Sequence, residues 1–118
     1  MNSYEKAIKA ATLADNKKAE NIEIIEVADL TSITDYFVIC SAGSENQMKA
    51  ISDEIEENFK KEGITPLHIE GYRSATWVLY DYGDVIVHIF NKDSRMFYSL
   101  ERLWGDAKRV EFDPENIE

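Results

Sequence analysis

The stretch Thr76 to Phe90, TWVLYDYGDVIVHIF, constrains the fold more than any other part of this chain. Two runs of β-branched and aromatic residues flank Asp81-Tyr82-Gly83-Asp84, a pattern that encodes an antiparallel hairpin. With Tyr82 and Gly83 as a two-residue loop, Asp81 faces Asp84, Leu79 faces Ile86, Val78 faces Val87 and Trp77 faces His88. One face then carries Val78, Tyr80, Val85, Val87 and Ile89, an ordinary core set. The other carries Trp77, Leu79, Ile86, His88 and Phe90, with both aspartates at its edge. Tyr is not a favoured first residue for such a loop, so a slip of one residue, which would exchange the faces, stays open.

Like charges directly opposed on paired strands cost roughly 0.2–1 kcal/mol. Asp81 and Asp84 therefore call for a cation, from Arg95 or from a partner's Lys or Arg, unless both project into water as Asp often does at turns. Trp77 can lie under a helix or stand open as a binding anchor, since Trp, Tyr and Arg dominate interface hot spots. His88, between Val87 and Ile89, reads as a packing residue held by a hydrogen bond, or as part of the same contact face.

Around the hairpin, the periodicities describe a mixed α/β chain. Tyr4, Ala7, Ile8, Ala11 and Ala14 recur at helical spacing between Ser3 and about Ala19, giving a helix with a small-residue face. Asn21–Ala28 alternates as a half-buried strand does, and Asp35–Ser41 (DYFVICS) reads as a central strand buried on both faces. Ser44 and Gln47 form a capping box for a helix striped by Met48, Ile51, Ile55 and Phe59, which Gly63 ends. Pro66–Glu70 can form a short strand, and Ser94–Trp104 a last helix with Phe97, Leu100 and Trp104 inward.

The expected fold is thus a five-stranded mixed sheet with covering helices. The crossover through residues 35–70 puts two strands in parallel, and the hairpin is antiparallel. Residues 1–110 form one domain, and the acidic tail 111–118 frays, as does its approach through Arg109 and Val110.

Composition narrows the function. The 118 residues carry 23 acids against 13 bases, a net charge of -10, which disfavours direct nucleic-acid binding and favours a basic partner. The single cysteine, Cys40, sits in an apolar run and reads as a small buried hydrophobe. No stretch has the length of a membrane span or the form of a signal peptide, so a cytoplasmic, non-membrane protein is expected.

Catalysis finds little support. His68 and His88 are the only histidines and sit with one cysteine on another strand, so no metal set and no cofactor is expected. No Gly-x-Ser-x-Gly, Gly-x-x-x-x-Gly-Lys-Ser/Thr or Gly-x-Gly-x-x-Gly occurs. The Gly43-Ser44 turn feeding a helix could hold an anion, which keeps a small nucleotidyltransferase-like enzyme or nucleotide sensor as the alternative. The paired strand carboxylates that such an enzyme needs for metal are missing. A plain dimeric scaffold, with the aromatic face as its interface, is a further possibility.

A specific combination of segments runs through nearly the whole chain: Lys17-Lys18-Ala19, Asp35-Tyr36-Phe37-Val38-Ile39, Glu70-Gly71, Trp77-Val78-Leu79, Asp81 to His88, Arg95, and Tyr98-Ser99-Leu100-Glu101-Arg102-Leu103-Trp104. In this order they resemble the ribosomal silencing factor family, also called the Iojap family. The resemblance implies a nucleotidyltransferase-like fold without the catalytic acids and a translation repressor without enzymatic activity. It further implies binding to the basic large-subunit ribosomal protein number fourteen on the intersubunit face, steric block of small-subunit joining, and homodimers when isolated. The contact surface expected on this chain comprises Trp77, Leu79, Asp81, Asp84, His88, Arg95 and Tyr98.

Overall fold

The computed structural model describes residues 1–72, 76–93 and 105–112. Helix α1 spans Ser3–Asn16 and starts on Asn2, whose side chain accepts from the Glu5 N–H while the Glu5 carboxylate accepts from the Asn2 N–H. That reciprocal cap satisfies two donors that a helix start leaves open. The helix ends earlier than its apolar spacing suggests, because Lys18 turns into the left-handed region at φ 63 and the Lys18 and Ala19 N–H groups fold back onto the Asp15 and Ala14 carbonyls. Helix α2 spans Glu45–Lys61, with Ser44 as N-cap and the turn at Gly63 (φ 76) after it.

The strands are β1 (Glu20–Glu26), β2 (Tyr36–Ala42), β3 (His68–Glu70), β4 (Trp77–Asp81), β5 (Val85–Asn91) and β6 (Lys108–Val110). They form one six-stranded sheet in the order β3-β4-β5-β2-β1-β6. β2 and β5 are parallel neighbours and every other adjacent pair is antiparallel. β3 therefore runs parallel to β2, as the crossover requires, but the hairpin of β4 and β5 is inserted between them.

Two expectations are corrected. The sheet has six strands, because the segment expected to fray pairs with β1 through Lys108, Arg109 and Val110. Arg109 forms an ion pair with Glu23, and Val110 and Phe112 pack on the core. Pairing with the half-buried β1 gives this short charged edge strand partners that its own composition does not announce. The expected helix at Ser94–Trp104 lies outside the described residues, as do residues 113–118.

The sheet separates two apolar clusters. The larger holds Val78, Tyr80, Val85, Val87 and Ile89 against Ala7, Ala10, Ala11 and Ala14 of α1 and Met48, Ile51, Ile55 and Phe59 of α2. Alanines on α1 let helix and sheet approach closely. Cys40 is wholly buried in this cluster. The smaller cluster, on the opposite face, holds Ile25, Val27, Phe37, Ile39, Ile86 and Phe90, with Trp77, Leu79 and Ala107 packed partly against it.

Candidate partner-binding surface

The hairpin has a different register from the expected one and the same faces. Trp77 pairs with Phe90, Val78 with Ile89, Leu79 with His88, Tyr80 with Val87 and Asp81 with Ile86. Relative to a Tyr82-Gly83 loop each partner has moved by two positions, and an even shift keeps every side chain on its own face. The turn sits one residue further along, at Gly83-Asp84, with the Tyr82 N–H donating to the Val85 carbonyl, because Tyr82 is a core residue: it is buried and meets Phe59 edge-on at 4.7 Å.

This register removes the opposed aspartates. Asp81 Oδ1 accepts from the Gly83 N–H at 2.8 Å, closing the turn locally. Asp84 meets Lys6 of α1, whose Nζ lies 2.9 and 3.2 Å from its two carboxylate oxygens, and its backbone carbonyl accepts from Asp35 and Tyr36. The cation that the pair seemed to need is internal and comes from a helix, so Asp84 points away from the Trp77 face. Arg95 and Tyr98 lie outside the described residues.

Trp77 and Leu79 are both half-buried and line a broad surface depression of about 710 Å³ with His68, Ile69, Glu70, Gly71 and Thr76. The Trp77 indole stacks on Phe90 at 5.0 Å and donates its N–H to His88 Nδ1 at 3.1 Å. His88 itself is only 4% exposed and meets Phe37 edge-on, so it orients the indole from beneath and has no face to offer a partner. The direct contact expected of His88 is corrected accordingly. Because the indole only donates, His88 Nδ1 must be the bare nitrogen.

Sequence reasoning missed the part played by Gly71. Its φ is 73, and a Cβ there would lie 2.1 Å from the Trp77 carbonyl oxygen. Only glycine lets the chain leaving β3 pass this close to the base of the tryptophan. The signal available was the Glu-Gly pair after a short strand, which is compatible with any turn.

Beyond the depression, tyrosine hydroxyls tie α2 to the sheet. Tyr72 donates to Asp53 at 2.8 Å and Tyr80 to Glu56 at 3.1 Å. Burial, and then the Glu56 charge, push the Tyr80 and Tyr82 phenols well above the usual range.

At the other end of α2, the Gly43-Ser44 turn is occupied by the chain itself. Gly43 donates to Gln47 Oε1 at 2.7 Å, the Gln47 N–H donates to Ser44 Oγ, and the Gln47 amide donates to the Lys17 and Lys18 carbonyls. Gln47 thus clamps the end of α1 instead of closing the capping box expected with Ser44.

Fold and geometry define a class: a mixed-sheet domain that presents a tryptophan-lined depression beside one edge of its sheet. The family model described as "Ribosomal silencing factor during starvation" matches residues 1–118, and the chain belongs to that family. It is 42% identical over 113 residues to the ribosomal silencing factor RsfS of Halalkalibacterium halodurans, covering 96% of this chain and 97% of the relative. To the Bacillus subtilis factor of the same name it is 43% identical over 104 residues, covering 88% of each. A crystal structure of a protein from Chromobacterium violaceum superposes with a TM-score of 0.86 at 28% identity, covering 98% of this chain and 100% of that one. A more distant relative, 31% identical over 96 residues, is the mouse "Mitochondrial assembly of ribosomal large subunit protein 1", covering 79% of this chain and 42% of the relative. The silencing-factor names describe regulation of ribosomes, a role that is not enzymatic.

Proposed function

We propose that this protein represses translation by binding the large ribosomal subunit on its intersubunit face, through the basic ribosomal protein number fourteen, and sterically blocking the small subunit from joining. Family membership over the full chain is the observation that carries this reading. The surface chemistry agrees with it: a net charge of -10 suits a basic partner, and Trp77 with Leu79 supplies an apolar anchor with Asp81 and Glu70 nearby. His88 is a positioning residue for the indole. No turnover is required, and the Gly43-Ser44 turn, filled by Gln47, offers little to a nucleotide. The same reading has the protein act in the cytoplasm, where free large subunits are captured, and form homodimers when isolated.

Trp77→Ala tests the surface. Loss of a central aromatic anchor should weaken binding to purified large subunits by about thirtyfold, near 2 kcal/mol. Wild-type affinity in a folded variant would move the contact elsewhere on the protein.

A further inference from the structure

Strand β3 ends the sheet, and its far side is unpaired among the described residues. Exposed sheet edges are templates for another strand, and natural proteins commonly blunt them with short strands, charged side chains, proline or a bulge. Here the strand is three residues long, carries Glu70 and follows Pro66, but the segment Leu67 to Tyr72 contains no lysine or proline. It exposes apolar side chains instead: Leu67 is 77% exposed, Ile69 37% and Tyr72 38%.

Beside that edge lies a row of acids. The bonds from Tyr72 to Asp53 and from Tyr80 to Glu56 hold α2 alongside β3 and β4, and the helical spacing brings Glu57 to the same flank as Asp53 and Glu56. None of these three carboxylates has a Lys or Arg partner among the described residues, although Glu45 and Glu62 elsewhere on or beside α2 do. On the sheet's other face the edge borders the depression lined by Leu79 and Trp77.

We propose that β3 is a docking edge for an extended, Lys/Arg-rich segment of the ribosomal partner, which adds a strand to the sheet through main-chain hydrogen bonds. This rests on the large subunit being the target. Side chains of an added strand alternate between the two faces. Its basic residues meet the α2 carboxylates, and the residues between them, apolar in character, enter the Trp77 depression. A second copy of this chain fits less well, because it brings the same net charge of -10 and the same acid row to the seam.

The test uses the full-length protein and purified large ribosomal subunits. Hydrogen exchange of the wild type should show the amides of residues 67–70 slowing when subunits are added. Leu67→Lys/Ile69→Lys and Asp53→Lys/Glu57→Lys should each bind at least tenfold more weakly, the second with a shallower dependence on salt. Circular dichroism confirms folding, and the exchange measurement on the wild type decides the matter should a variant misfold. Unchanged β3 exchange and wild-type affinity in both variants, while Trp77→Ala still weakens binding, would overturn the edge and leave the ribosomal reading standing. Absence of wild-type binding would remove both. Edge variants that convert a dimer to a monomer in sedimentation velocity, with unchanged subunit affinity, would overturn the proposal in favour of a second copy at β3.

Discussion

On the helix-covered face of the sheet, Val78, Tyr80, Val85, Val87 and Ile89 are wholly enclosed by α1 and α2. On the opposite face, His88 and Phe90 are equally buried, but Trp77 and Leu79 stay half-exposed above them and border a depression. Both faces come from alternate residues of the same hairpin. The first is closed by alanines and long aliphatics that leave no surface spare, whereas the second keeps its largest ring at the rim, oriented by an acceptor nitrogen beneath it. Burial on the first face serves stability, and burial on the second serves the positioning of an exposed neighbour.

Substitutions on the two faces should separate those roles. Phe59→Ala empties a fully buried position under α2 and removes the ring that Tyr82 packs on. We expect a loss of about 3–5 kcal/mol in urea unfolding, with subunit affinity of the folded protein unchanged. Weakened affinity in the folded variant would break the division between the faces.

Gly71→Ala should come next. The added methyl meets the Trp77 carbonyl and forces a left-handed conformation on a residue that rarely adopts it, a strain of order 1–3 kcal/mol. Here affinity for large subunits should fall along with stability, because the shifted backbone carries Trp77. The ratio of the two losses, read from unfolding and binding curves on one preparation, measures how tightly the anchor depends on this close approach.

The smallest effects lie at the tyrosines of the helix-covered face. Both phenols are raised above their ordinary value of 10.0 in the folded state. The unfolded chain therefore releases these protons at lower pH than the folded one. Their contribution to stability is fully present below about pH 10 and is lost as pH rises further. Tyr80→Phe should cost about 0.5–1.5 kcal/mol at neutral pH through the lost bond to Glu56. Tyr82→Phe should be near neutral there, since its buried hydroxyl has no hydrogen-bond partner among the described residues. Both variants should show a shallower alkaline decline in stability, measured by denaturation across pH.

The faces of the hairpin were legible in the sequence because alternation depends only on parity, and the even shift in register left parity intact. The register was not legible: Tyr82 is an unfavoured loop residue, but only the contact with Phe59 shows that it belongs to the core and moves the turn to Gly83-Asp84. Trp77 and Leu79 could be placed on one surface from alternation alone. The burial of His88, the internal pairing of Asp84 with Lys6 and the clamp by Gln47 depend on contacts between distant segments, for which spacing carries no signal. β6 escaped notice because Lys-Arg-Val is too short and too charged to announce a strand without β1 beside it.

Sedimentation of the tagged protein with cell extract through a sucrose gradient tests the central claim most directly. The account predicts co-migration with free large subunits and absence from joined ribosomes. Recovery only at the top of the gradient, at low salt and with subunits in excess, would contradict it.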